Sequence, residues 1–136
     1  MYRAAIEKLY RWKESKRRKP LIIEGARQVG KTWLMKEFGN QAYSKTVYIN
    51  FDSNSKMADL FASDLNIDRL IMGLELYCGH KINPDNTLMI FDEVQEVPRA
   101  LTSLKYFCEN APQYHIVCAP FWELLCIKER LFRWAK

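Results

Sequence analysis

Eight residues constrain this chain more than any others. Gly25-Ala26-Arg27-Gln28-Val29-Gly30-Lys31-Thr32 fits the spacing G-x-x-x-x-G-K-[ST] at every fixed position. On its N-terminal side, Pro20 ends any helix and opens the apolar run Leu21-Ile22-Ile23-Glu24, which predicts a buried strand. On its C-terminal side, Lys31 to Phe38 reads as a helix, with Gly39-Asn40 as its stop. A tight loop between strand and helix turns successive backbone N–H groups inward as an anion cradle, and the helix adds the positive end of its dipole. Gly25 and Gly30 allow a close approach that a Cβ would block. That spacing suits phosphate: Lys31 reaches the β- and γ-phosphates, and the Thr32 hydroxyl ligates Mg²⁺.

A second cluster lies downstream. Leu88-Met89-Ile90-Phe91 is an apolar run that ends in Asp92-Glu93, which places the two acids at the carboxyl end of a buried strand. Ligands of open α/β sheets bind outside those ends. Asp92 is expected to hold Mg²⁺ in the shell that Thr32 completes, and Glu93 to act as general base on an attacking water. Gln95 and Arg99 follow closely, and their alternatives are contact with a nucleotide or neighbouring subunit, or a plain surface role.

The remaining pattern alternates. Residues 2–15 carry Ile6, Leu9, Tyr10 and Lys13 at helical spacing, before the basic run Lys16-Arg17-Arg18-Lys19. Thr46 to Phe51 reads as a strand, residues 56–79 as two helices, Asn83 to Asn86 as a turn, Arg99 to Glu109 as a helix opened by Pro98, and Tyr114 to Cys118 as a fourth strand. Strands alternating with helices predict an α/β fold, a parallel sheet covered on both faces.

Composition narrows the function classes. A chain of 136 residues with 49% hydrophobic and 27% charged side chains is globular in character, and its length suits one domain. Its apolar runs are too short to span a bilayer, and its N-terminus is too charged for a signal peptide, so no membrane partner and a cytoplasmic location are expected. Cys78, Cys108, Cys118 and Cys126 form no C-x-x-C pair, and His80 and His115 have no partners at metal-ligand spacing, so the cysteines read as packing residues in a reducing compartment. Trp12, Trp33, Trp122 and Trp134 likewise read as packing, and His115 as structural. The net charge of +5 is uneven: +6 in residues 1–19, −3 in residues 20–120 and +2 beyond. The basic arm leaves nucleic-acid contact open as an alternative to a solvated linker.

Taken together, these segments resemble a prokaryotic AAA-type P-loop ATP-binding family. The resemblance runs through the block RKPLIIEGARQVGKT (Arg18 to Thr32), Val47 to Asp52, Ile90 to Glu96 and Pro98 to Phe107, and covers residues 1–119. It implies a three-layer α/β/α P-loop NTPase fold with strand order 5-1-4-3-2, ATP and Mg²⁺ as cofactors, ATP hydrolysis and a homo-oligomer among the partners. Full-length members are about three times longer and carry a C-terminal domain of unsettled function. The expected divisions are a basic amphipathic helix at 1–19, an ATPase core at 20–119 and a tail at 120–136.

The tail departs from that family. Members follow the fourth strand with an Ala-Gly-Ser-type segment that places a polar group near the γ-phosphate, where this chain has Ala119-Pro120-Phe121-Trp122. A synonymous back-translation from Phe121, read two bases later, gives Leu-Gly-Ile-Ala-Leu-His-Lys, a family-like continuation. The expectation is a frameshift near codon 119 or 120, which the gene sequence decides. The alternative is a natural C-terminal helix built on Leu124, Leu125, Ile127, Lys128 and Leu131. Without strand 5, the helical lid and an arginine finger, the resemblance implies impaired turnover, since such an arginine contributes about 10³–10⁵ in rate. A remnant that binds nucleotide weakly or not at all, and a DNA-associated module, are the competing readings.

Overall fold

The computed structural model describes residues 2–16, 18–23 and 29–119. Helices and strands alternate along them: α1 (Tyr2–Glu14), β1 (Leu21–Ile22), α2 (Val29–Ala42), β2 (Lys45–Asn50), α3 (Ser55–Ala62), α4 (Ile67–Cys78), β3 (Thr87–Asp92), α5 (Pro98–Asn110) and β4 (His115–Ala119). A short 3-10 turn, Val94–Glu96, joins β3 to α5. The local chemistry sets several of these ends. Asn54 and Asn66 cap α3 and α4 by accepting the backbone N–H of Met57 and Arg69. Gly79 closes α4 at φ 85°, a left-handed conformation that suits glycine. Pro98 occupies the first turn of α5, where a missing N–H costs nothing.

All strand pairs are parallel, in the order β1-β4-β3-β2. That order agrees with the expected family order for these four strands. The ladder continues past β1, where the Ile23 N–H donates to the Cys118 carbonyl at 2.9 Å. Every residue of β3 and β4 is buried, as a parallel sheet covered on both faces requires.

Alternation along the strands divides the core in two. Val47, Ile49, Met89, Phe91, Ile116 and Cys118 join Met57, Phe61, Leu74, Leu104 and Phe107 from α3, α4 and α5. Leu88, Ile90, Val117 and Ala119 face the other way, onto Ile6 and Leu9 of α1 and Met35 and Phe38 of α2. The result is the expected three-layer α/β/α arrangement. The amphipathic α1 is fastened by aromatic contacts: Tyr10 meets Phe38 edge-on at 5.3 Å, Trp12 meets His115 at 5.8 Å, and the Trp12 indole donates to the Lys19 carbonyl at 2.6 Å.

Two expectations are corrected. The second helix does not stop at Gly39-Asn40 but runs through to Ala42, and the Tyr43 N–H still donates to the Gly39 carbonyl at 3.1 Å. Gly39 is there for contact, because a Cβ at that position would lie 2.4 Å from Thr46 Oγ1 on β2. Trp33 is 52% exposed rather than packed, because it lies on the solvent side of α2, away from buried Met35 and Phe38. His115 is structural as expected: buried, and paired with the Tyr43 hydroxyl. Cys118 is buried, while Cys78 and Cys108 are half-buried. Cys126, Trp122, Trp134 and the helical reading of the tail lie outside the described residues.

Candidate functional site

Asp92 is the last residue of β3, and the alternation that turns Leu88 and Ile90 toward α2 turns Asp92 the same way. Thr32 lies in the first turns of α2, so two side chains 60 residues apart meet at the carboxyl end of the sheet. The Thr32 hydroxyl donates to Asp92 Oδ2 at 2.8 Å. Lys31, the residue before it, is half-buried in the same first turns of the helix.

Asp92 as a residue is only 6% exposed, so its carboxylate has left much of its water behind. Removing a carboxylate from water costs several kcal/mol unless hydrogen bonds replace the lost shell. Three donors supply that replacement. Besides Thr32, the Tyr48 hydroxyl donates to Oδ2 at 2.7 Å, and the Glu93 backbone N–H donates to Oδ1 at 3.0 Å. Each such bond to a charged group contributes about 1.5–3 kcal/mol.

Tyr48 was not singled out by sequence reasoning. Its position follows from strand register: Tyr48 pairs with Ile90, one inward-facing position before Asp92, and a tyrosine is long enough to reach the next one. Burial pushes its phenol well above the ordinary range, and the bond to Asp92 pushes it further the same way. The hydroxyl therefore keeps its proton and remains a donor. On its other side, the Lys36 ammonium stands 4.0 Å from the Tyr48 ring centre. Lys36 is one helical turn beyond Thr32, so α2 presents both residues to this corner of the sheet.

Glu93 follows at once, in the left-handed region at φ 52°, ψ 41°. Its N–H also reaches the Ala119 carbonyl of β4 at 3.2 Å, tying the end of β3 to the end of its neighbour. Its half-buried carboxylate accepts a bond from Gln95 Nε2 at 2.8 Å. Arg99 points elsewhere: its Nε donates to the Phe61 carbonyl at the end of α3. The loop residues Gly25, Ala26, Arg27 and Gln28 lie outside the described residues, while Val29 and Gly30 open α2. Among the described residues, no group of three or more His, Cys, Asp or Glu is placed to hold a metal ion, and no helix is long and apolar enough to cross a membrane.

The structure described as "Structure of C. elegans PCH-2" is similar at 20% identity and a TM-score of 0.44, over 88% of this chain and 35% of that one. The chain thus spans about a third of the length of that protein. No curated protein matches. The family described as "AAA domain" matches residues 17–120, well over half of the sequence. The chain belongs to the AAA domain family.

Proposed function

We propose that this domain binds ATP with Mg²⁺ on the Gly25–Thr32 loop, and that it carries the hydrolytic mechanism of its family. The carrying observation is the 2.8 Å bond from Thr32 to Asp92, which joins the start of α2 to the acidic end of β3. In this reading the backbone amides from Gly25 to Gly30 cradle the phosphates and Lys31 neutralises their charge. Thr32 and Asp92 fit Mg²⁺, since both offer hard oxygen donors. The ion would draw the rest of its shell from water and phosphate oxygens, as Mg²⁺ commonly does. Bound there, the ion supplies charge neutralisation across the phosphates. Glu93, carried one residue past the metal-side carboxylate, orients and deprotonates a water.

The test is titration of the whole chain with a fluorescent ATP analogue, together with measurement of phosphate release. Lys31→Ala is expected to weaken binding at least tenfold with no change in melting temperature. Glu93→Gln is expected to keep binding and abolish release. A wild-type chain that binds no nucleotide, with Lys31→Ala indistinguishable from it, would remove the reading. Binding without release would leave a nucleotide-binding domain only. Homo-oligomerisation and the 1–19, 20–119 and 120–136 divisions belong to the same proposal. Sedimentation with and without ATP checks the first, and limited proteolysis the second.

A further inference from the structure

Asp92 is held by more than its expected hydroxyl partner. Its Oδ2 accepts two O–H donors, Thr32 at 2.8 Å and Tyr48 at 2.7 Å, while its Oδ1 is taken by the Glu93 N–H. Of the two side-chain donors, Thr32 is the one expected to turn toward a metal ion. The Tyr48 hydroxyl comes from β2, the neighbouring strand, and also lies within hydrogen-bonding reach of the Thr32 and Asn50 side chains. It comes from a rigid element: the Tyr48 backbone is locked in the β2–β3 ladder, and its ring lies beneath the Lys36 ammonium at 4.0 Å. A carboxylate on a strand end can rotate about χ1 and χ2, and an exchange of donors would let it turn. A fixed phenol on the adjacent strand removes that freedom.

We propose that Tyr48 is a positioning residue for the metal-side carboxylate: its hydroxyl holds Asp92 in the orientation that accepts Mg²⁺ while Thr32 is engaged with the ion. The inference rests on the ATP–Mg²⁺ reading of the site. It assigns Tyr48 no contact with nucleotide, and so separates metal affinity from nucleotide affinity.

The experiment uses the full chain and the Tyr48→Phe substitution, which removes one oxygen and keeps the ring under Lys36. Binding of a methylanthraniloyl-ATP probe is titrated first in EDTA, then against MgCl₂ at fixed probe concentration, and thermal melting is recorded for both proteins. The expected result is unchanged binding in EDTA, a Mg²⁺ midpoint raised about 3–10-fold and a melting temperature within a few degrees of wild type. This range lies below the 10–100-fold losses typical of partners behind a metal ligand, because the Glu93 N–H still holds Asp92 Oδ1. An unchanged Mg²⁺ midpoint overturns the proposal. So does weakened binding in EDTA, which would make Tyr48 a nucleotide contact, and so does a large fall in melting temperature, which would make the hydroxyl a prop of the fold. If wild type binds no probe at all with or without Mg²⁺, the ATP reading has failed instead, and the two failures are not confused.

Discussion

Glu93 occupies a backbone conformation that an L-residue adopts at a cost of about 1–2 kcal/mol. The cost is met by its N–H, which bonds both the Asp92 carboxylate and the Ala119 carbonyl. Glu93→Gly is therefore expected to keep stability within about 1 kcal/mol of wild type or to raise it, while phosphate release vanishes. Urea denaturation with a release assay checks both. A loss of more than about 1 kcal/mol would mean that the Gln95 bond holds the turn. Asp92 is the opposite case, since Asp92→Ala leaves the Thr32 and Tyr48 hydroxyls without the carboxylate they donate to. It is expected to cost about 1–3 kcal/mol of stability as well as Mg²⁺ dependence.

At the level of elements, α1 and α2 are joined to the sheet by devices of different kinds. Beneath α1, the buried Tyr43 phenol is pushed above its ordinary range and keeps its proton, and it is hydrogen-bonded to Nδ1 of His115. Burial drives the His115 imidazole down to about 4, with the Arg18 and Lys13 charges adding to the effect. In the unfolded chain it would take up a proton near pH 6.5, before the folded chain does. The stability that His115 contributes is thus complete above about pH 6.5 and is lost as pH falls toward 4. Urea midpoints are expected to fall between pH 7 and 5, and His115→Gln should flatten that slope. His80, the other histidine, is exposed. On α2 the device is contact. Gly39→Ala should gain about 1 kcal/mol of helix propensity but lose about 1–3 kcal/mol by forcing Thr46 aside. The net is a destabilisation that Thr46→Ser or Thr46→Ala partly relieves. The sequence alone suggested a stop at Gly39, because glycine after a periodic run commonly ends a helix. Only the neighbouring strand shows why a side chain does not fit there.

For the molecule as a whole, the architecture was legible because β3 and β4 are mostly apolar and their helices periodic, a pattern set by the layers themselves. The meeting of Thr32 with Asp92 was legible too, since it follows from a strand, a loop and a second strand in a known order. Tyr48 was not, because its reach to Asp92 depends on the pairing of Tyr48 with Ile90, and register leaves no local mark. Nor was the exposure of Trp33, which depends on which face of α2 meets the sheet. The same fully buried β3 makes one broader prediction. Phe91→Ala, next to the acid pair in a core shared with Phe51 and Phe61, should cost about 3–5 kcal/mol. It should also lower nucleotide affinity, read by melting and by titration.

One consequence concerns synthesis. The strand that leads into the glycine loop and the strand that ends in the acids are not neighbours in the sheet; β4, the last of the four to be made, lies between them. On a ribosome, the strand that leads into the glycine loop has no partner strand to pair with until residues 115–119 have emerged and slipped into that gap. A nascent chain stalled before that point is expected to be blind to nucleotide, so ligand can reward only a chain whose sheet is already closed.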